Sequence, residues 1–213
     1  MRRTIAAVDA GTYYHHESLL GARFADAFDR TVYVRDLPAA DLGDIDVLIV
    51  TCRTDPAALR PAFARLRAFL ATGGALVAMG STGPHLWLPD VAWTDTPTNF
   101  WWWKEGGELG LEPAEPDDPF FVHVPFEDTI WHHHGFFAPP AGATSLVDAR
   151  GLGSVLYLDQ TSFAPGTLVA TTLDPFYHHG SHFMPATTRF ITGFLPWLRT
   201  DPRLGPRAPA TDA

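Results

Sequence analysis

The sequence predicts an α/β domain built on a mainly parallel sheet with helices on both faces. Three observations carry that prediction. Two short runs, Asp46–Cys52 and Ala75–Gly80, are apolar at nearly every position, the pattern of strands buried on both faces. Between them lies a helical segment, with Pro56 at its first position, Leu59, Phe63, Leu66 and Leu70 as its buried stripe, and Gly73-Gly74 as its stop. An earlier strand, helix and strand precede this unit with short connections, so the order suits a doubly wound sheet. In such sheets ligands bind beyond the carboxyl ends of the strands.

Each element has a local reason. Thr4–Ala10 reads as a buried first strand, and a loop Gly11–Glu17 follows it. Ser18 is placed to cap a helix whose apolar face is Leu20, Phe24 and Phe28. Thr31–Val34 is the second strand. Residues 81–128 break the rhythm: they hold Trp87, Trp93, Phe100 and three consecutive tryptophans, and read as an irregular insertion. Thr129–Trp131, Thr144–Val147, Ser154–Leu158 and Thr167–Thr172 are strand-like. Pro185–Arg199 is a closing helix whose last turn Pro196 should distort. The expected organisation is one domain over 1–199, with a mobile tail over 200–213.

Composition narrows the function classes. With 213 residues, 46% hydrophobic and 18% charged, the chain is long enough to bury a core. No apolar run reaches the roughly 18 residues of a membrane span, and no signal peptide is expected. One cysteine, Cys52, excludes an internal disulfide and suits the cytoplasm. Net charge is −9, and Glu105–Asp128 holds eight acidic residues and no Lys or Arg. That stretch is a solvated acidic loop, or a lid or partner surface. Nucleic acid, which needs clustered Lys and Arg, is not an expected partner. A small-molecule ligand is.

Ten histidines is an unusual number, and most are expected at strand ends. Three readings stand side by side. In the first, neutral imidazoles hold a divalent metal such as zinc, with His15, His16, His133 and His179 as the candidate ligands and Glu17 or Asp174 as an added carboxylate. In the second, no metal is present and His178 serves as acid or base, with Ser81 as the hydroxyl beside it. In the third, the imidazoles are hydrogen-bonded walls of a polar pocket. In adjacent pairs, at most one histidine should face that pocket.

The aromatics also divide. If extended, Trp101 and Trp103 share a face and Trp102 takes the other. They either pin the insertion to the sheet, fill an interface between copies of the chain, or offer indole faces to a sugar ring. Tyr14, Trp87, Trp131 and Tyr177 extend the candidate ligand-binding wall.

The order Asp46–Cys52, helix, Gly73-Gly74, Ala75–Gly80 resembles the core of class I glutamine amidotransferase-like proteins. Trp131-His132-His133-His134-Gly135, Pro139-Pro140, Ser154–Asp159 and Leu173–Gly180 resemble their carboxyl half. The likeness is greatest to the ThuA-like branch, associated with trehalose utilisation, and implies a flavodoxin-like three-layer sandwich and a carbohydrate-derived ligand. It also implies a nucleophilic cysteine on the elbow after the fourth strand. Here that place is Met79-Gly80-Ser81, and Cys52 lies one strand earlier, in the oxyanion loop. His178 falls at the family's histidine, and Gly180 replaces the acid two positions on. The chain is therefore expected not to hydrolyse glutamine, leaving either a hydrolase-like or metal-assisted enzyme or a non-catalytic binding or assembly protein.

Overall fold

The computed structural model describes residues 2–98, 100–104 and 107–205. Its parallel strands are β1 (Ile5–Asp9), β2 (Arg30–Tyr33), β3 (Val47–Val50) and β4 (Ala75–Ala78). The chain then adds β5 (Ala92–Asp95), β6 (Leu111–Pro113), β7 (Gly135–Ala138), β8 (Thr144–Ala149), β9 (Gly153–Asp159) and β10 (Thr167–Thr171). The order across the sheet is β2-β1-β3-β4-β10-β9-β7-β5, with β8 also on β9 and β6 on β8. The first five in that order are mutually parallel, and β9, β7, β5, β8 and β6 extend the sheet antiparallel. The strand order 2-1-3-4 is that of a flavodoxin-like sheet, with its switch point between β1 and β3.

Period-two alternation builds two cores. Ile5, Ala7, Val47, Ile49, Ala75 and Val77 face one layer, against Trp131, Phe190, Phe194 and Trp197. Ala6, Val8, Leu48, Val50, Leu76 and Ala78 face the other, against Leu59, Leu66, Phe69 and Trp87. The expected three-layer sandwich is therefore the observed one. No helix among the described residues is long and apolar enough to cross a membrane.

Several local expectations are corrected. The first helix, α1 (Tyr13–Leu20), starts before Ser18, because Thr12 caps it by accepting from the His15 N–H. Ser18 sits inside the helix and donates to the Phe176 carbonyl at 2.6 Å. The next helix is divided into α2 (Pro56–Leu59) and α3 (Phe63–Ala71) by a 3-10 turn over Arg60–Ala62, where Pro61 interrupts the α pattern. Thr129–Trp131 is no strand; a 3-10 turn covers Phe126–Thr129. The insertion holds β5, β6 and α4 (Phe120–His123).

The closing segment is also more ordered than expected. After α5 (Pro175–Gly180), α6 (Pro185–Thr200) runs unbroken through Pro196. Pro196 lies on the exposed face, so its missing N–H leaves only a solvent-side carbonyl unpaired, while buried Trp197 and Leu198 hold the turn. The start of the expected tail is docked: Leu204 is fully buried, and Arg203 pairs with Asp118 and Asp201 at 2.6 Å each. Residues 206–213 lie outside the described ones. Leu204→Ala is expected to cost about 2–5 kcal/mol in urea unfolding; an unchanged midpoint would show that this turn is not part of the core.

Candidate functional site

Four strand ends meet at the switch point. β1 ends at Ala10-Gly11, β3 at Thr51-Cys52-Arg53, β4 at Gly80-Ser81 and β10 at Thr172-Leu173-Asp174. Backbone bonds tie them together: Arg53 N–H donates to the Gly80 carbonyl at 2.9 Å, and Gly80 N–H to the Leu173 carbonyl at 3.0 Å. The contact leaves no room at position 80, where a Cβ would stand 2.2 Å from the Thr172 carbonyl oxygen.

Asp174 is the centre. It has no exposed surface. Its Oδ2 accepts from Arg53 Nε and pairs with Arg53 Nη2, both at 2.8 Å, and lies 3.1 Å from His134 Nε2. Its Oδ1 lies 3.1 Å from His178 Nε2 but has no well-aligned hydrogen bond. Burial alone would raise the Asp174 pKa; the hydrogen bond from His134 and the charge of His178 and His134 outweigh it and hold the carboxyl far below its usual range. Arg53 reaches this position from a left-handed backbone, φ 62°, and its guanidinium stacks 3.7 Å from the Tyr177 ring centre.

Spacing explains the histidines. Residues 132–134 lead into β7, so side chains alternate: His132 and His134 pack together at 5.5 Å, while the His133 ring is tied back to the Gly135 carbonyl by Nδ1 at 3.0 Å. Asp174 and His178 are four apart, on one face at the start of α5, where Pro175 takes the first position. His178 Nε2 also lies 3.1 Å from His132 Nε2, and His178 Nδ1 is buried without a partner. His132, Asp174 and His178 each offer a ligand atom within 4.8 Å of the others, the only such group among the described residues. Burial, more than any neighbour, lowers the His132 pKa to about 4, so its ring is neutral at pH 7. The insertion closes over them: Thr98 Oγ1 lies 3.3 Å from His134 Nδ1, and the Phe100 ring packs 4.9 Å from His132.

The other candidate residues are dispersed. His15 is buried with both nitrogens engaged: Nδ1 accepts from the Ala10 N–H at 3.1 Å, so Nε2 carries the proton that the Cys52 carbonyl receives at 2.8 Å. His16 is exposed. His179 bonds Thr188 Oγ1 at 2.8 Å and packs on Phe24. These three and His133 are therefore not gathered around one point. Trp87 and Trp131 are core residues, the first donating to the Thr82 carbonyl and the second packed on Phe190. Tyr14 and Tyr177 meet edge to face at 5.0 Å beside the site. Residues 100–104 form a turn instead of an extended strand, yet Trp101 and Trp103 still neighbour each other at 6.3 Å, both more than half exposed, with the Lys104 ammonium over both rings.

Ser81 occupies a strand-end elbow with φ 62° and is exposed, but no histidine among the described residues hydrogen-bonds its hydroxyl. Cys52 is fully buried, and that burial, reinforced by the nearby Asp174 charge, pushes its thiol well above the usual range. His178 does not end β10; Asp174 follows the strand and His178 stands one helical turn later. No side chain fits at Gly180, where a Cβ would stand 2.0 Å from the Tyr14 carbonyl oxygen.

No family model and no curated protein matches this chain. Solved structures do. A glutamine amidotransferase from Thermotoga maritima aligns at TM-score 0.53 and 13% identity, over 96% of this chain and 88% of the other. A protein assigned as one GMP synthase subunit, from Thermoplasma acidophilum, aligns at 0.57 and 14%, over 93% and 96%. An α-L-fucosidase isoenzyme from Paenibacillus thiaminolyticus aligns at 0.53 and 12%, over 92% of this chain but 33% of the enzyme. The fold is thus that of glutamine amidotransferase-like proteins.

Two measurements check the site's electrostatics. Burial lowers the His15 pKa below its ordinary value, so on acidification the unfolded chain takes up a proton that the fold refuses. Stability should fall as pH drops below about 6.5, by up to about 1.4 kcal/mol per pH unit for each such proton. In His15→Gln, less stable at pH 7.5, urea midpoints between pH 6.5 and 5.5 should decline less steeply than in wild type. An equal slope would refute the neutral, buried imidazole. The Cys52 thiol should resist an aromatic disulfide reagent in the native protein and react once urea unfolds it.

Proposed function

We propose that this chain is a ThuA-like protein of the amidotransferase fold that binds a small polar, carbohydrate-derived ligand at the strand ends and acts on it by acid–base chemistry, without hydrolysing glutamine. The observation that carries this reading is Asp174, an ionised carboxylate without exposed surface that draws in Arg53, His134 and His178 at the switch point. Strongly shifted groups gathered in a cleft are characteristic of reaction sites. Asp174 would hold the His134 tautomer, as the buried acid does in a catalytic dyad, and His134 has the most exposed imidazole of those touching it. The inert Cys52 and the filled space at Gly180 argue against glutaminase chemistry.

The sugar is assigned to the aromatic insertion. Trp103 borders a cavity of about 790 Å³ whose other walls include Trp102, Ile130, Phe183 and Arg189. Phe183 also packs against the His178 ring at 5.6 Å, so one side chain touches both this cavity and the Asp174 cluster. A flat apolar face beside charged rim groups suits a ring with one C–H face and several hydroxyls. A second reading, ligand binding without turnover, is favoured by Ser81, whose hydroxyl is hydrogen-bonded by no histidine among the described residues.

Monosaccharides, disaccharides and sugar acids screened by thermal shift should include at least one that raises Tm. Trp103→Ala should weaken its binding about three- to tenfold. No shift with any sugar, or a shift indifferent to Trp103→Ala, would sink the carbohydrate assignment. Turnover of the bound sugar, lost in Asp174→Asn, separates the enzyme from the binding protein, which would return its ligand unchanged. Ammonia released from glutamine and abolished by Cys52→Ala would overturn the exclusion of glutaminase activity.

A further inference from the structure

We propose that His132, His178 and Asp174 form a binding site for one divalent transition-metal ion, with zinc the best match. This deepens the reading above by supplying its cofactor, but it stands on its own geometry. His178 Nε2 is 3.1 Å from His132 Nε2 and 3.1 Å from Asp174 Oδ1. Ligands bound to zinc at about 2.0–2.2 Å lie about 3.3–3.5 Å apart at the corners of a tetrahedron, so these two pairs need to part by only a few tenths of an ångström, and all three ligand atoms already lie within 4.8 Å of one another.

The hydrogen bonding points the same way. Asp174 Oδ1 is a buried carboxylate oxygen without a hydrogen bond, although the other oxygen of the same group has two partner side chains. A buried acceptor left open is costly and calls for an electrophile. The two Nε2 atoms face each other, an arrangement that one shared proton or one ion satisfies. Two imidazoles and a carboxylate are a donor set for zinc or ferrous iron. Arg53 and His134 fix Oδ2 and thereby aim Oδ1 at the ion, the supporting contact that metal-binding carboxylates require.

Three protein ligands leave a coordination position open, as in catalytic zinc sites. With Arg53 already offsetting the Asp174 charge, a bound dication leaves the cluster positive. That favours hydroxide, or an anionic or chelating hydroxyl group of the ligand, as the fourth donor. An ion here would lower the pKa of a bound water and so supply a nucleophile that the elbow at Ser81 lacks. No other group of three His, Cys, Asp or Glu ligand atoms among the described residues comes as close together, and both His15 nitrogens are engaged.

The test uses tag-free, full-length protein stripped with chelator and titrated with cobalt(II). The expected result is one cobalt per chain, with the visible bands of a four- or five-coordinate ion, and a Tm raised by zinc. His132→Gln and His178→Gln should lose that cobalt, while His15→Gln keeps it. Should those variants fail to fold, nitrogen-15 spectra of wild-type histidines decide instead: zinc should shift two buried Nε2 resonances, and no shift, or shifts confined to exposed histidines, overturns the site. No stoichiometric uptake of zinc, cobalt, manganese or ferrous iron overturns it too, as does an unchanged cobalt spectrum in folded His132→Gln. A sugar-induced Tm shift in protein that takes up no metal would reject this site and leave the proposed ligand intact; metal uptake without any sugar shift would do the reverse.

Discussion

A carboxylate with no exposed surface must be neutralised where it stands, and the strand ends of this protein are arranged around that need at Asp174. Stripping water from an ion costs several kcal/mol, which only close, well-aligned partners recover. Arg53 supplies the cation, from a left-handed backbone that non-glycine residues seldom adopt. Its position depends on Gly80, whose carbonyl receives the Arg53 N–H and whose lack of a side chain lets β4 approach the end of β10. A change at any of these points is felt at the same carboxylate.

The parallel half of the fold was legible because its physics is local. Strands β1, β3 and β4 are buried on both faces, and such strands show as uninterrupted apolar runs. The helix starts were less so. Thr12 and Ser18 are both good caps, and only the packing of α1 against Phe176 tells which one serves. The antiparallel strands β5 and β7 escaped notice because Trp93, Gly135 and Phe137 are in register only through each other: Trp93 pairs with Phe137 across 44 positions of sequence.

The site was half legible. Two spacings mark it, a histidine on either side of His133 and an acid four residues before His178, and each puts its pair on one face of its element. His133 itself turns to the other side, its ring tied to the Gly135 carbonyl, a matter of parity along an extended segment that the three consecutive histidines do not reveal. Arg53 had no such mark. It meets Asp174 across 121 positions, and nothing near it in the chain announces the encounter. Trp87 and Trp131 show the converse: large aromatics fill cores as readily as they line clefts, and the composition of a segment does not distinguish the two.

The place of β10 has a consequence for how the molecule is made. It lies between β4 and β9, so the two halves of the sheet meet only through it. Until synthesis reaches Thr167, the outer edge of β4 has no neighbour, and an apolar strand with an open edge is a template for pairing with other chains. The nascent protein must therefore carry that edge through all of the insertion and β9 before it can close. Such long-range closure is slow. At four residues β4 is short, which limits how much of that edge another chain could pair with before β10 arrives.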